Sequence, residues 1–442
     1  MPSRRHVIAS LGLLATGGCL GTGDGDDAPA ATDGHTDWPL PDFDASGTSY
    51  NPDATGPRST PEKRWRRAVP QPAGRPVVAG GRVFLPTFGG LRSFARDGSP
   101  GWLLTPLADR STVRVTGPAV HDGTAYVGTD DRRSLLALDA ASGDEIWRID
   151  VGDVSVSPTP DHDWETVFVG TRDGTVARVD AESGEVRWTA SVFGAVTSLA
   201  TSADIAYVGT EAGEVYALFD DGGHGPADGR FEAGANRTRS GDSEVRNTSG
   251  SRTQSGDSEV RNTSGSRTQS GDSRGLWRRK LPGSVVDVAL GNSGPVYATT
   301  FAGGTFELAD GLHAGRTSWH VESGPAKDSL VLTDDAVYGA DGGGLVSMRR
   351  HGGGRRWAVD GSFVGGMAGA GDTLYVGGED GVSAYRMGGG LGVGDLRLNA
   401  RRWRVGVEGS VVHGLAVADG TVFAPVSGTE DTPAALLALD AS

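Results

Sequence analysis

Eight of the ten tryptophans in this chain fall at one phase of a repeat, and no other feature limits the possible folds as strongly. They are Trp65, Trp102, Trp147, Trp188, Trp277, Trp319, Trp357 and Trp403. Short apolar runs such as "TAYVGT", "TVFVGT" and "IAYVGT" recur between them, centred on Phe84, Tyr126, Phe168, Tyr207, Tyr297, Tyr338, Tyr375 and Phe423. Successive centres lie 42, 42, 39, 90, 41, 37 and 48 residues apart, so the 90 reads as one period plus an insertion. A period near 42 with four strand-like runs per unit is what a propeller blade requires. The runs are a small-residue run, the aromatic run, a "YALD"-type run and the Trp-bearing run. One blade cannot bury both of its faces, so blades stack radially and cover each other. The expected fold is therefore all-β, an eight-bladed β-propeller over residues 62–442.

In "LLALDAASGDEIW" (Leu135 to Trp147) and "VARVDAESGEVRW" (Val176 to Trp188), the Asp-Ala-x-Ser-Gly piece reads as the turn between third and fourth strands. The tryptophan beyond it is expected between adjacent blades. The last unit ends in "ALLALDAS" with no Trp-bearing strand, whereas "EKRWRRAV", from Glu62 to Val69, is such a strand with no blade before it. Pairing the two closes the ring and removes exposed sheet edges.

These units resemble the repeats of pyrroloquinoline-quinone (PQQ) propellers, whose docking motif is A-x-D-x-x-T-G-x-x-x-W. Ala137, Asp139, Gly143 and Trp147 match it, as do Ala177, Gly184 and Trp188, with Ser142 and Ser183 where Thr is usual. "DWPLPDFDASGTSYNPDATGP", from Asp37 to Pro57, resembles the family's lead-in segment before the first blade. The likeness covers Asp37 to Ser442 apart from the insertion, and fades in the fifth and sixth units. The chain is similar to the lipoprotein propeller that assists bacterial outer-membrane assembly, and more distantly to quinoprotein alcohol dehydrogenases.

The N-terminus, "MPSRRHVIASLGLLATGGCLG", has a basic start and an apolar run too short to span a bilayer, which reads as a secretion signal over residues 1–18. Arg4 and Arg5 look like a twin-arginine export signal. Thr16-Gly17-Gly18-Cys19 resembles a lipobox, with lipidation expected on Cys19, the only cysteine. Residues 19–61 then form an acidic tether and lead-in; read as a free coil, this stretch reaches ~35 Å. The chain is thus expected to be exported and held at the outer face of the cell membrane, as a monomer. A net charge of −15 argues against a nucleic-acid partner. With only three lysines, the acidic, Arg-using composition resembles proteins of salt-loving archaea.

Residues 220–274 contain a verbatim 15-residue duplication beginning at Ser240 and Ser255, and few large apolar residues. Such composition cannot offset its ordering entropy, so a disordered loop within the fourth blade is expected. Its sequons, at Asn236, Asn247 and Asn262, are candidate N-glycosylation sites. Gly271 to Gly275 matches G-x-S-x-G by coincidence, being on no strand-to-helix turn. Asp220, Asp221, His224 and Asp228 read as an acidic loop mouth, and the nine histidines as scattered loop residues. Trp38 is expected to pack the lead-in on the propeller; Trp164 reads as an exposed contact or a loop plug.

Two functional classes follow. One is a non-catalytic scaffold presenting loops to a protein partner or ligand, with no cofactor, no metal and no catalytic residue. The alternative is a PQQ-dependent quinoprotein dehydrogenase. By family implication that enzyme needs Ca²⁺ held by carboxylate and amide groups, a catalytic Asp, a Trp floor under the quinone and commonly a disulfide. With Cys19 as the sole cysteine, no disulfide is available within the chain.

Overall fold

The computed structural model describes residues 36–105, 114–130, 133–219, 274–291, 294–301, 303–322, 330–341, 344–361, 363, 365–393 and 396–441. Arg4, Arg5, Cys19, Asn236, Asn247, Asn262 and most of the 220–274 insertion lie outside the described residues.

Eight sheets form the blades of a propeller, each built on four antiparallel strands, with a fifth, parallel strand from the lead-in added to one of them. Seven are continuous in sequence: blade 1 spans Val77–Leu104, blade 2 Ala119–Asp150, blade 3 Thr159–Ser191, blade 4 Val196–Lys280, blade 5 Val285–Val321, blade 6 Val331–Asp360 and blade 7 Met367–Val405. Blade 8 takes three strands from Ala416–Asp440 and its outer strand from Glu62–Ala68, in register from Glu62↔Asp440 to Ala68↔Ala435. The two ends of the propeller thus share one sheet, and the ring closes without a covalent bond.

There is no single core. Apolar clusters sit between neighbouring blades: Phe84 and Leu91 of blade 1 pack with Val127 and Leu136 of blade 2, and Tyr338 of blade 6 with Leu374 of blade 7. The two middle strands of each blade are buried on both faces, which is why they read as unbroken apolar runs. The largest cluster joins blades 7, 8 and 1 and contains both Trp65 and Trp38.

The docking turn explains the spacing of its residues. Asp139 Oδ1 accepts hydrogen bonds from the Ala141 and Ser142 amides, fixing the turn. Gly143 then adopts φ +80°, and an added Cβ would lie 2.6 Å from the Trp102 ring of the preceding blade. The Trp102 indole N–H donates to Ala140 O at 2.9 Å. The same seating brings Trp65 onto Gly98, Trp147 onto Gly184, Trp277 onto Gly315, Trp319 onto Gly353 and Trp357 onto Gly389. Each tryptophan therefore lies flat on a backbone that only glycine leaves open. Blade 8 has no such turn, because its third and fourth strands come from opposite ends of the propeller. Pro57 of the lead-in supplies the missing acceptor, taking hydrogen bonds from Trp403 Nε1 at 2.8 Å and Tyr375 Oη at 3.1 Å.

The lead-in corrects the expectation of a free tether as far as Pro61. From Thr36 the chain is bound, and it makes one lap of the channel wall. Thr36 N donates to Asp419 of blade 8. Trp38 exchanges two backbone hydrogen bonds with Val78 of blade 1, and Pro39 O accepts from Val120 of blade 2. Ala45, Ser46 and Thr48 carbonyls accept from Thr201, Leu290 and Leu332 of blades 4, 5 and 6. Tyr50–Asn51 then pairs in parallel with Gly369–Ala370 of blade 7. Trp38 is fully buried, its indole N–H on Pro41 O.

Candidate functional site

The lap runs along the far ends of the innermost strands and floors the central channel. Above it a pocket of about 380 Å³ opens among the loops that lead into those strands. Leu40 to Asp42, Asp44 and Gly47 of the lead-in form the floor. Arg75, Arg114, the stretch from Val154 to Thr159, Ser198, Asp287 and His413 form much of the wall.

Charge is concentrated at the base of this pocket. Arg75, with its side chain 9% exposed, pairs with Asp42 at 2.8 Å and donates to Pro41 O and Ser49 Oγ. Asp287, on the innermost strand of blade 5, accepts from the Val288 and Leu330 amides at 2.8 Å each. Burial, with repulsion from Asp42, pushes its carboxyl up to about 7, against the pull of Arg75. Burial likewise lifts Asp44 to about 6, although the Thr48 hydroxyl (2.6 Å) and amide (3.0 Å) both donate to it. Burial pulls His413 below the usual imidazole value, and its backbone sits at φ +61°. Two carboxyls that titrate near neutrality therefore face one fixed ion pair.

None of these groups was singled out in the sequence. Asp287 left one trace, as the only charge in the inner-strand run "VVDVAL". Asp42, Arg75 and His413 are distant in sequence and meet only because the ring closes. The expectation of scattered, solvated loop histidines is corrected at His413, whereas His320, on the outer strand of blade 5, is exposed. His413 lines the pocket, and His320 stacks on Phe306 with centroids 4.1 Å apart. Trp164, read as an exposed contact or plug, is half-buried and stacks on His121 at 4.5 Å, joining blades 2 and 3.

The pocket does not fit the quinone of the related enzymes. A flat tricyclic quinone needs an aromatic platform, and the lining contains no Trp, Tyr or Phe. Its companion cation needs a cluster of ligands, and among the described residues no three acidic, His or Cys side chains are grouped to hold one. Two of the three carboxylates are engaged with the lap, Asp42 with Arg75 and Asp44 with Thr48, and Asp287 accepts from the Val288 and Leu330 amides.

Eight blades, six of them joined to a neighbour by a tryptophan seated on a turn glycine, define a β-propeller of the PQQ-repeat class. A family model described as outer membrane protein assembly factor BamB matches residues 87–268. The chain is a PQQ-repeat propeller. It is 38% identical over 108 residues to the serine/threonine-protein kinase AfsK of Streptomyces griseus, covering 23% of this chain and 13% of that protein. It is 34% identical over 111 residues to the quinohemoprotein alcohol dehydrogenase of Comamonas testosteroni, covering 21% of this chain and 16% of that one. The matches thus span less than a fifth of either curated relative. The crystal structure of the Comamonas dehydrogenase superposes with a TM-score of 0.63 at 14% identity, over 91% of this chain and 80% of that one. BamB from Moraxella catarrhalis superposes with a TM-score of 0.55 at 17% identity, over 86% and 97%. At these identities the superpositions speak for the fold alone.

Proposed function

We propose that this chain is a non-catalytic propeller, exported and anchored through Cys19, that binds a protein partner on its pocket-bearing face. The observation that carries the reading is the lap. Where an axial site could assemble chemistry, Asp42 is paired with Arg75 and Asp44 with Thr48, so these groups hold the chain's own lead-in. The same face presents Phe193, 68% exposed, on the loop between blades 3 and 4, and Phe301, 56% exposed, on blade 5. Solvated phenylalanines on neighbouring loops suit the apolar centre of a protein interface.

Two measurements test this. Purified chain in molar salt, given PQQ, Ca²⁺ and an artificial electron acceptor, is expected to show no alcohol- or sugar-dependent dye reduction; turnover would overturn the reading. Cross-linking on intact cells is expected to trap a defined protein partner that is lost in the Phe193→Ser, Phe301→Ser double variant. Unchanged cross-links would move the interface elsewhere. Cys19→Ser is expected to release the chain into the medium.

A further inference from the structure

The outer strands of blades 6, 7 and 8 are adjacent on the rim and read "RRWAVD", "RRWRV" and "EKRWRRA". Nine of their eighteen residues are Arg or Lys and two are acidic, in a chain of net charge −15. The outer strands of blades 1 to 3 contain only Arg148 and Arg187 as basic residues, and that of blade 5 has no Arg or Lys. Blade 4's, Arg274–Lys280, has four basic residues but is flanked by these poorly basic strands, so only blades 6 to 8 form a continuous basic arc. Part of the belt is neutralised locally: Arg402 and Arg58 share Asp372, Arg356 pairs with Asp335 and Arg64 with Asp440. Lys63, Arg66, Arg67 and Arg401 are exposed and make no salt bridge among the described residues. Arg66 and Arg67 each donate to a backbone carbonyl, of Pro433 and Gly98.

We infer that this arc is a docking surface for the anionic phosphate headgroups of a lipid bilayer, which the propeller meets edge-on. Charge complementarity is the first argument. Chemistry is the second: eight of the nine cations are Arg, whose planar fork chelates phosphate in contact pairs. Contact pairs matter because in molar salt the screening length falls to about 3 Å, which removes long-range steering. Position is the third. The described chain starts on blade 8, where Thr36 is bonded to Asp419, and the blade's outer strand lies three strand spacings, about 15 Å, away. The described chain therefore begins on one of the three blades that form the basic arc.

The inference is independent of lipidation and is tested without it. Full-length Cys19→Ser chain is floated with vesicles of phosphatidylcholine and with an equimolar mixture of phosphatidylglycerol and phosphatidylcholine, at physiological and molar salt. Flotation is expected only with the anionic vesicles, weakened but retained at high salt. Lys63→Gln with Arg401→Gln, which removes two side chains that make no hydrogen bond among the described residues, should weaken binding about tenfold. Adding Arg66→Gln and Arg67→Gln should weaken it about a hundredfold or more. Arg148→Gln on blade 2 should change nothing. Equal flotation with phosphatidylcholine, no flotation at all, retention by the Lys63/Arg401 variant, or an equal loss at Arg148 would each overturn the inference. So would tighter binding to duplex DNA or polyglutamate than to the anionic vesicles.

Discussion

Replacing Trp65 by alanine tests the closure, since its strand joins the other three strands of blade 8 by non-covalent contacts alone. The ring is 8% exposed, lies on Gly98 of blade 1 and sits 5.9 Å from Phe423. Burial of roughly 200 Å² at about 25 cal/mol/Å² gives an upper bound near 5 kcal/mol. The hydrogen bond from its indole N–H to Arg96 O, at 2.9 Å, adds about 1 kcal/mol. Because Trp→Ala changes in cores cost about 3–5 kcal/mol, we expect a loss in that range. Trp188 provides the comparison: it holds the same phase but is half-buried, and its indole N–H has no acceptor among the described residues. Its replacement should cost about 2–3 kcal/mol. For roughly 330 described residues the unfolding entropy is about 0.7 kcal/mol/K, so Trp65→Ala should lower Tm by about 4–7 °C. Calorimetry of both variants in high salt checks the ordering. If Trp65→Ala melts with the parent while Trp188→Ala does not, the non-covalent closure does not hold the ring together.

Three further outcomes are expected. Gly143→Ala should cost about 2–4 kcal/mol, since Gly143 is left-handed and its Cβ would strike Trp102. Gly123→Ala, at φ +76° with open space, should cost about 1–2 kcal/mol; equal melting losses would refute the docking account. Asp287 keeps its proton in the folded state up to about pH 7 but only to about pH 4 unfolded, so its contribution is full below pH 4 and lost as pH rises through 7. Parent stability should therefore fall more steeply over that window than stability of Asp287→Ala, by a few kcal/mol in denaturant titrations; parallel curves would refute the assignment. Replacing residues 221–272 by a short Gly-Ser turn should leave stability within about 1 kcal/mol, because Phe219 and Arg274 are paired neighbours in blade 4. A larger loss would mean that the segment packs on the propeller.

The sequence by itself determined the blades. Burial on both faces of the middle strands demands apolar runs, and a tryptophan lying on backbone demands a glycine, as at Trp102 and Gly143. Both are local requirements that recur at a fixed period, so they can be read from one repeat against the next. The unpaired Trp65 strand and the incomplete last unit likewise announced the closure, since an open edge is costly. Only the tertiary structure decided the centre. The lap of the lead-in has no periodicity, because each of its residues answers to a different blade: Trp38 to Val78, Ala45 to Thr201, Tyr50 to Gly369. The pocket charges behave the same way, with Asp42, Arg75, Asp287 and His413 brought together from the lead-in and blades 1, 5 and 8. The basic rim is intermediate: its arginines are visible in "RRW" and "RWRR", but their adjacency requires the last three blades to lie side by side. Period encodes what each blade needs from its neighbour, whereas the axis and the rim are set by closing the circle.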